Sequence, residues 1–450
     1  MAPRFKTLDR EQLMLLPPDL KEWIPQDDMV HFFIETAALV PESKFILNQA
    51  GTGDEQYHPH MMLALILYSY SHGFFSSRKI ERLTWKDVSV RYLCANLHPD
   101  HDTICTFRVR NETAIGEAFL EVLKLAKKIG ILKVGTVSVD GTKIKANASI
   151  HKSIRYDRAK ELEGELDLKV KELMEKAKAA DEVQEGKDEN LNGDLARHEV
   201  LREKIRKAKE DLEKRASDKA SLEKKTSKKK NNKKKDSDDG DSPQDTPSQP
   251  ENKWQSNMTD SESRIMKKNV HSEYTQAYNG QAVVDVDGTM MVLGCYVTNN
   301  GTDRKELAKA VNAIDLTIGE PRIVLADNGY ASEGPVQELQ KKGLEVLVSV
   351  HSEQTHQKRL FDFRPRKEPL LKKSPNYQKS WVKEMAKAMK ETRAKDLYNK
   401  RKCTVEPVFG IVKQAMGFRQ FLLRGLEKVN LEWTLIMCAY NMKRLAVLSK

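Results

Sequence analysis

Apolar positions recur at helical spacing through roughly the first 130 residues. Met61, Met62, Leu63, Leu65, Ile66 and Leu67 form one compact apolar segment, and Ile115, Ala118, Phe119, Val122, Leu123 and Ala126 return every three or four residues. Between them, FFSSRKIERLTWKDVSVRYL holds two short amphipathic pieces joined at Thr84–Trp85–Lys86. The texture changes at Lys133. VGTVSVD (Val134 to Asp140) is rich in β-branched residues and predicts a strand ending in an aspartate. Tyr156 to Leu222 is mostly Lys, Glu, Ala and Leu, with Leu162, Leu166, Leu168, Val170, Leu173, Leu195, Val200, Ile205 and Leu212 marking a charged helical hairpin. It gives way to SKKKNNKKKDSDDGDSPQDTPSQPENK, which cannot bury enough apolar area to order and reads as a disordered linker. Hairpin and linker together make an insertion over 156–253.

Strand texture returns near Tyr278. AYNGQAVVDVDG and TMMVLGCYVTNN are joined at Asp287–Gly288, a hairpin signal. Thr302 to Glu306 predicts a capped start for a helix carrying Leu307, Val311 and Ile314. Ile323 to Ala326 is a short apolar strand ending at Asp327, Gly334 to Lys342 a polar helix, and Leu344 to Val350 another buried strand. A basic insertion covers 351–396, and Leu397 to Leu448 is largely helical. The expected architecture is α/β over 131–450, preceded by a helical domain over 1–130, with the charged insertion interrupting the first strand connection.

The chain has 450 residues with 77 Lys+Arg against 66 Asp+Glu, a net charge of +11 and a pI near 9.1. The apolar set is 39% of residues, which excludes a wholly disordered chain, and the longest apolar stretch, Met61 to Phe75, is broken by polar residues and falls short of a membrane span. The opening MAPRFKTLDREQL has no apolar run behind its basic residues, so no signal peptide is expected. Five cysteines, none spaced C-x-x-C, point to a reducing, cytoplasmic setting. The positive charge suggests a polyanionic partner. Arg78, Lys79, Arg82, Arg91, Arg108 and Arg110 on short paired helices would suit DNA, although pattern alone favours a helical bundle with a solvated basic face.

Three acids stand apart by position. Asp140 and Asp327 each end an apolar strand, an expensive place for a charge unless it is partnered or holds a metal, and open α/β sheets place their sites there. Glu406 interrupts an apolar helical face made by Val405, Val408, Phe409 and Val412. Alone, each strand-end Asp also reads as a turn or cap residue. Brought together by a fold, three carboxylates without His or Cys make a hard-oxygen site for two Mg²⁺ or Mn²⁺ ions bracketing a phosphate. Lys413, two helical turns beyond Glu406, would then lie close enough to hold phosphate.

These strings resemble something known. VSVDGTKIKANAS, MTDSESRIMKK with AYNGQAVVD, VLADNGYAS and VEPVFGIVKQAMGFRQFLLRGLEKVNLEW resemble bacterial insertion-sequence transposases of the DDE type. YHPHMMLALILYSYSHGFFSSRKIERLTWKDVSVRYL and HPDHDTICTFRVRN resemble that family's N-terminal domain. The resemblance covers most of 1–150 and 255–445. It implies an RNase H-like mixed sheet with flanking helices, Asp140, Asp327 and Glu406 as ligands of two Mg²⁺ or Mn²⁺ ions, and a helical DNA-binding domain over 1–130. It further implies metal-dependent cleavage and strand transfer on double-stranded DNA (the element's terminal inverted repeats and a target), a homodimer on DNA and a nucleoid-associated location. The family's signature is Tyr, two residues, Arg, three residues, Glu, six residues, Lys. Lys413 fits the last position. Counted back from Glu406, the arginine position holds Lys402, with Arg401 one place earlier, and the tyrosine position holds Asn399, with Tyr398 one place earlier. Tyr398, Arg401, Lys402 and Lys413 are thus the candidate DNA contacts.

Two rival readings are a catalytically silent, transposase-derived DNA-binding protein and a two-metal nuclease that cuts without joining. Cys94, His98, His101 and Cys105 tempt a zinc reading, but their spacing is unlike common structural sites. Asp285 and Asp287 read as turn formers, Asp303 as a helix cap, Trp433 as core, and Asp260 and Glu262 stay unassigned. Arg364, Arg366, Lys367, Lys372 and Lys373 would suit a DNA-facing insertion, or simply a solvated surface.

Overall fold

The computed structural model describes residues 19–48, 55–182, 189–231, 250–267, 272–350 and 379–449. They form two compact units, one running up to Lys133 together with the chain from Thr434 onward, the other Val134–Trp433.

The first unit is helical: α1 (Met29–Ala37), α2 (Pro59–Ser71), α3 (Ser77–Lys86), α4 (Val88–Leu93), α5 (His101–Arg110) and α6 (Glu112–Lys128). α2 is apolar on every side and is its centre, with Met62 through Leu67 almost wholly buried. Asp28, Asp87 and Asp100 cap α1, α4 and α5 by accepting the N–H of Val30, Val90 and Thr103 at 2.8, 2.9 and 2.7 Å. Arg78, Lys79 and Arg82 lie exposed on α3. Arg108 does not belong with them: it is buried and donates to the Tyr70 hydroxyl at 2.8 Å and the Phe75 carbonyl at 3.2 Å. The C-x3-H-x2-H-x3-C residues go separate ways, with His98 stacked on Trp85 at 3.5 Å and His101 bonded to Glu81 at 2.9 Å.

The second unit carries β1 (Thr136–Lys145), β2 (Ser153–Arg155), α7 (Tyr156–Glu182), α8 (Glu189–Asn231), β3 (Gln255–Asn257), β4 (Arg264–Lys267), β5 (Tyr274–Asp285), β6 (Val292–Thr298), α9 (Leu307–Asn312), β7 (Ile323–Ala326), α10 (Glu333–Lys341), β8 (Glu345–Val348), α11 (Ser380–Ala388), α12 (Thr392–Lys402), α13 (Val405–Gly410) and the start of α14 (Leu426–Leu448). The main sheet has the order β4-β5-β1-β7-β8, with β6 also on β5. β5 is antiparallel to β1, β4 and β6, while β1, β7 and β8 run parallel. β1 does not stop at Asp140, as the strand pattern predicts, because antiparallel pairing with β5 carries it on to Lys145.

β2 and β3 pair at the base of the insertion. Above them α7 and α8 run antiparallel, as Tyr156 to Glu213, Lys209 to Glu163 and Arg202 to Asp167 contacts at 2.8, 2.6 and 3.3 Å show. Ala159, Leu166, Ile205 and Ala208 fill the seam, whereas Leu168 and Val200 of the expected set face solvent. α8 runs to Asn231, beyond the point where the charge clusters predict its end; no Gly or Pro interrupts its Lys- and Ala-rich stretch. The linker 232–249 and the first part of the basic insertion, 351–378 with Arg364, Arg366, Lys367, Lys372 and Lys373, lie outside the described residues. The rest of that insertion forms α11 and the first half of α12, with Val382, Met385 and Ala394 buried.

Candidate active site

Strand register sets the first two acids side by side. β1 and β7 are parallel with Val139 opposite Ala326, so Asp140 and Asp327 are the next residues on adjacent strands. β7 ends there, which opens the sheet beyond it, while β5 keeps β1 in place with Ala282 opposite Asp140. Asp140 Oδ1 accepts the Gly141 N–H at 2.8 Å, and Asp327 Oδ1 accepts the Gly329 N–H at 2.9 Å as it caps the short turn Asn328–Tyr330. Burial, reinforced by the charge on Asp327, pushes the Asp140 carboxyl up to about 7, and burial also raises Asp327; the Arg401 guanidinium opposes both shifts.

Arg401 comes from the last turn of α12. Its Nη1 is 3.7 Å from Asp140 Oδ2 and its Nη2 is 3.4 Å from Glu406 Oε1, so one buried guanidinium links Asp140 on β1 to Glu406 on α13. The Tyr398 ring lies beneath it, 5.6 Å from the guanidinium carbon, and is itself buried. Tyr and Arg thus keep their mutual spacing, and the extra residue relative to the resembled signature falls at Cys403–Thr404, the break between α12 and α13. There the Thr404 hydroxyl donates to the Lys400 and Arg401 carbonyls at 3.1 and 3.0 Å. Lys402 faces solvent. Beyond α13 the helix widens into a π turn, Ile411–Ala415, from which Lys413 reaches back to β1 and donates to Thr142 Oγ1 and, at 3.0 Å, to the Lys143 carbonyl. Asp140, Asp327, Glu406, Arg401, Tyr398 and Lys413 are therefore gathered at one end of the sheet. The three acids do not all fall within 4.8 Å of one another, since Arg401 stands between Asp140 and Glu406.

A family model described as Transposase DDE domain matches residues 241–442, and one described as Transposase domain (DUF772) matches residues 18–110. The chain belongs to the insertion-sequence DDE transposases. No curated protein and no solved structure matches it. The fold of the transposase is RNase H-like, with three antiparallel strands (β6, β5, β1) continued by two parallel ones (β7, β8). Asp140 and the hairpin fall between the two matched stretches, and it is register with β7 that sets Asp140 beside a matched acid.

DDE transposases are generally dependent on divalent metals. The residues present fit such an ion: Asp140, Asp327 and Glu406 offer only oxygen donors, and the burial that raises the Asp140 and Asp327 carboxyls is a penalty on their charged forms that a bound cation would offset.

A fourth acid escaped the sequence reading. Asp303 does not cap α9, whose N-cap is Glu306. Its Oδ1 accepts from Asn279 Nδ2 at 2.6 Å and Gln281 Nε2 at 2.8 Å, and Lys143 Nζ lies 3.9 Å from Oδ2. The Tyr330 hydroxyl, three residues past Asp327, donates to Gln281 Oε1. A Cβ on Gly141 would lie 2.3 Å from Gln281 Nε2 and 2.7 Å from Asp303 Oδ1, so the glycine after Asp140 is what admits this network. The available signal was two polar residues, Asn279 and Gln281, at alternate positions in the middle of a buried strand. Asp303→Ala leaves two amide donors without their acceptor, and urea unfolding at unchanged m should show a loss of about 1–3 kcal/mol. Asp260 and Glu262 are structural: they accept the Gly425 and Leu426 N–H groups at 3.3 and 2.8 Å, at the start of α14.

Proposed function

We propose that this transposase binds the inverted ends of its own element, cleaves the phosphodiester there and uses the freed 3′-hydroxyl to attack target DNA. The observation that supports this reading is the meeting of Asp140 and Asp327 through strand register, with Glu406 linked to Asp140 by Arg401. Asp140, Asp327 and Glu406 would hold two Mg²⁺ or Mn²⁺ ions, which when bound supply activation of the attacking oxygen and stabilisation of the departing one. Arg401, kept charged against its own burial by Tyr398 and the acids around it, positions Glu406 beside Asp140. Lys413 ties the turn after α13 to Thr142 and Lys143 of β1, and its ammonium would meet a backbone phosphate there. The net charge of +11 and the exposed Arg78, Lys79 and Arg82 of the helical unit serve phosphate neutralisation, in a homodimer that holds two element ends.

Duplexes carrying the element's ends, incubated with the protein and Mg²⁺, give joined products under this reading. Cut but unjoined products would favour the nuclease reading, and binding without either would favour the silent DNA-binding protein. EDTA should abolish both cutting and joining while leaving binding intact, as scored by gel shift. Arg401→Lys keeps a charge but loses the fork that reaches two carboxylates, and should lower the cleavage rate by about 10–100-fold without a comparable loss of DNA binding.

A further inference from the structure

The helical unit holds a second constellation, unrelated to the sheet acids. Glu42, His58 and His60 each place a ligand atom within 4.8 Å of the others, and among the described residues no other trio of His, Cys, Asp or Glu does so. Local structure fixes all three. His58 is the N-cap of α2, and Pro59 at the first helical position pre-sets the turn that puts His60 one step inside the helix. Glu42 opens the short turn Glu42–Lys44, closed by Lys44 N–H to the Pro41 carbonyl and Phe45 N–H to the Glu42 carbonyl, both at 3.0 Å. His60 joins the two pieces: its ring packs edge-on against Phe45 at 5.1 Å, and its Nε2 lies 2.7 Å from the Val40 carbonyl. A carbonyl can only accept, so Nε2 carries the proton and Nδ1 keeps its lone pair, the arrangement by which an outer carbonyl sets a metal-ligating imidazole. The His58 ring lies 5.2 Å from that of His60, tilted by 30°.

We propose that Glu42, His58 and His60 form a site for a borderline divalent cation of the Zn²⁺ class. Two imidazoles and a carboxylate are the donor set of three-ligand zinc sites, and imidazole nitrogens disfavour Mg²⁺. Tetrahedral ligation at about 2.0–2.1 Å sets ligand atoms about 3.3 Å apart, so the trio needs only a modest closure. Glu42 and His58 are exposed, which leaves the remaining coordination position to water. The ion would clip the turn after α1 to the first turn of α2, a cross-link between separate parts of the chain that restricts the unfolded state. This site does not depend on the reading of the sheet acids.

The test uses metal-free full-length protein titrated with Co²⁺, in the Asp140→Asn/Asp327→Asn background so that the sheet acids do not contribute. The expected result is a visible ligand-field band of one equivalent per chain that Zn²⁺ displaces and millimolar Mg²⁺ does not. Glu42→Gln and His58→Ala, both at exposed positions, should each weaken Co²⁺ binding more than about 10-fold. They should also remove the rise in melting temperature that Zn²⁺ gives the parent protein. Absence of a band in the parent, or a band and stoichiometry unchanged in both variants, overturns the proposal.

Discussion

Asp140→Asn should lower strand cleavage by about three orders of magnitude while the protein still folds and still binds DNA. The change removes a charge and almost no volume. It therefore takes away an oxygen donor at the place where β7 stops and the sheet opens, leaving the β1–β5 ladder intact. Folding should even be slightly favoured, because the Asp140 charge is buried next to Asp327. A loss of rate without loss of stability is the mark of a residue kept for chemistry. Asp285→Asn supplies the contrast. Asp285 is fully buried and accepts from Thr289 Oγ1 at 2.6 Å and Thr289 N–H at 3.1 Å in the β5–β6 turn, so its substitution should cost stability and leave the cleavage rate per folded molecule unchanged. Single-turnover cleavage and urea unfolding of both variants decide the matter. Comparable losses of rate in the two would mean that Asp140 acts only through the fold.

The parts of this site that follow from local pattern were legible in the sequence, and those that depend on cross-chain geometry were not. An aspartate ending an apolar, β-branched run announces itself, and Asp140 and Asp327 do so because strand burial leaves a charge few other reasons to be there. The run of Met62 through Leu67 is likewise visible as a buried helix. Arg401 was ambiguous against Lys402 because adjacent helical residues differ by about 100° in direction, and only the break at Cys403–Thr404 decides which of them meets Glu406. Arg108 reads as a surface cation in sequence, yet its partners Tyr70 and Phe75 come from elsewhere in the fold. Asp303 hid for the same reason: its cap-like context is real, but Asn279 and Gln281 on β5 claim its carboxylate. The end of the basic insertion shows in sequence only as charge, and folds into helices because Val382, Met385 and Ala394 find a core.

Trp433→Ala should cost about 3–5 kcal/mol of stability, the largest loss expected of any single core substitution in the α/β unit. The indole is fully buried at the start of α14, with Phe409, Phe418 and Phe421 around it at ring separations of 6.4, 6.4 and 6.3 Å. Its Nε1 donates to the Gln281 carbonyl at 3.0 Å, so removal also leaves a buried acceptor on β5 without that donor. The ring lies flat on Gly280, where a Cβ would come within 2.9 Å of the indole Cε2 and Cζ2. Gly280→Ala should therefore destabilise by about 1–3 kcal/mol through overpacking, with no φ strain to add to it. Gly280 sits between Asn279 and Gln281, whose amides hold Asp303, and opposite Thr142, which receives Lys413. A shift of β5 away from the tryptophan consequently moves the wall of the candidate active site, and Gly280→Ala should slow cleavage as well as weaken the fold. Pairing it with Trp433→Phe, which trims the ring where the Cβ would strike, should recover about 1 kcal/mol relative to the sum of the single changes. Strict additivity in urea unfolding of the four proteins would show that the cost at Gly280 has another source than the indole.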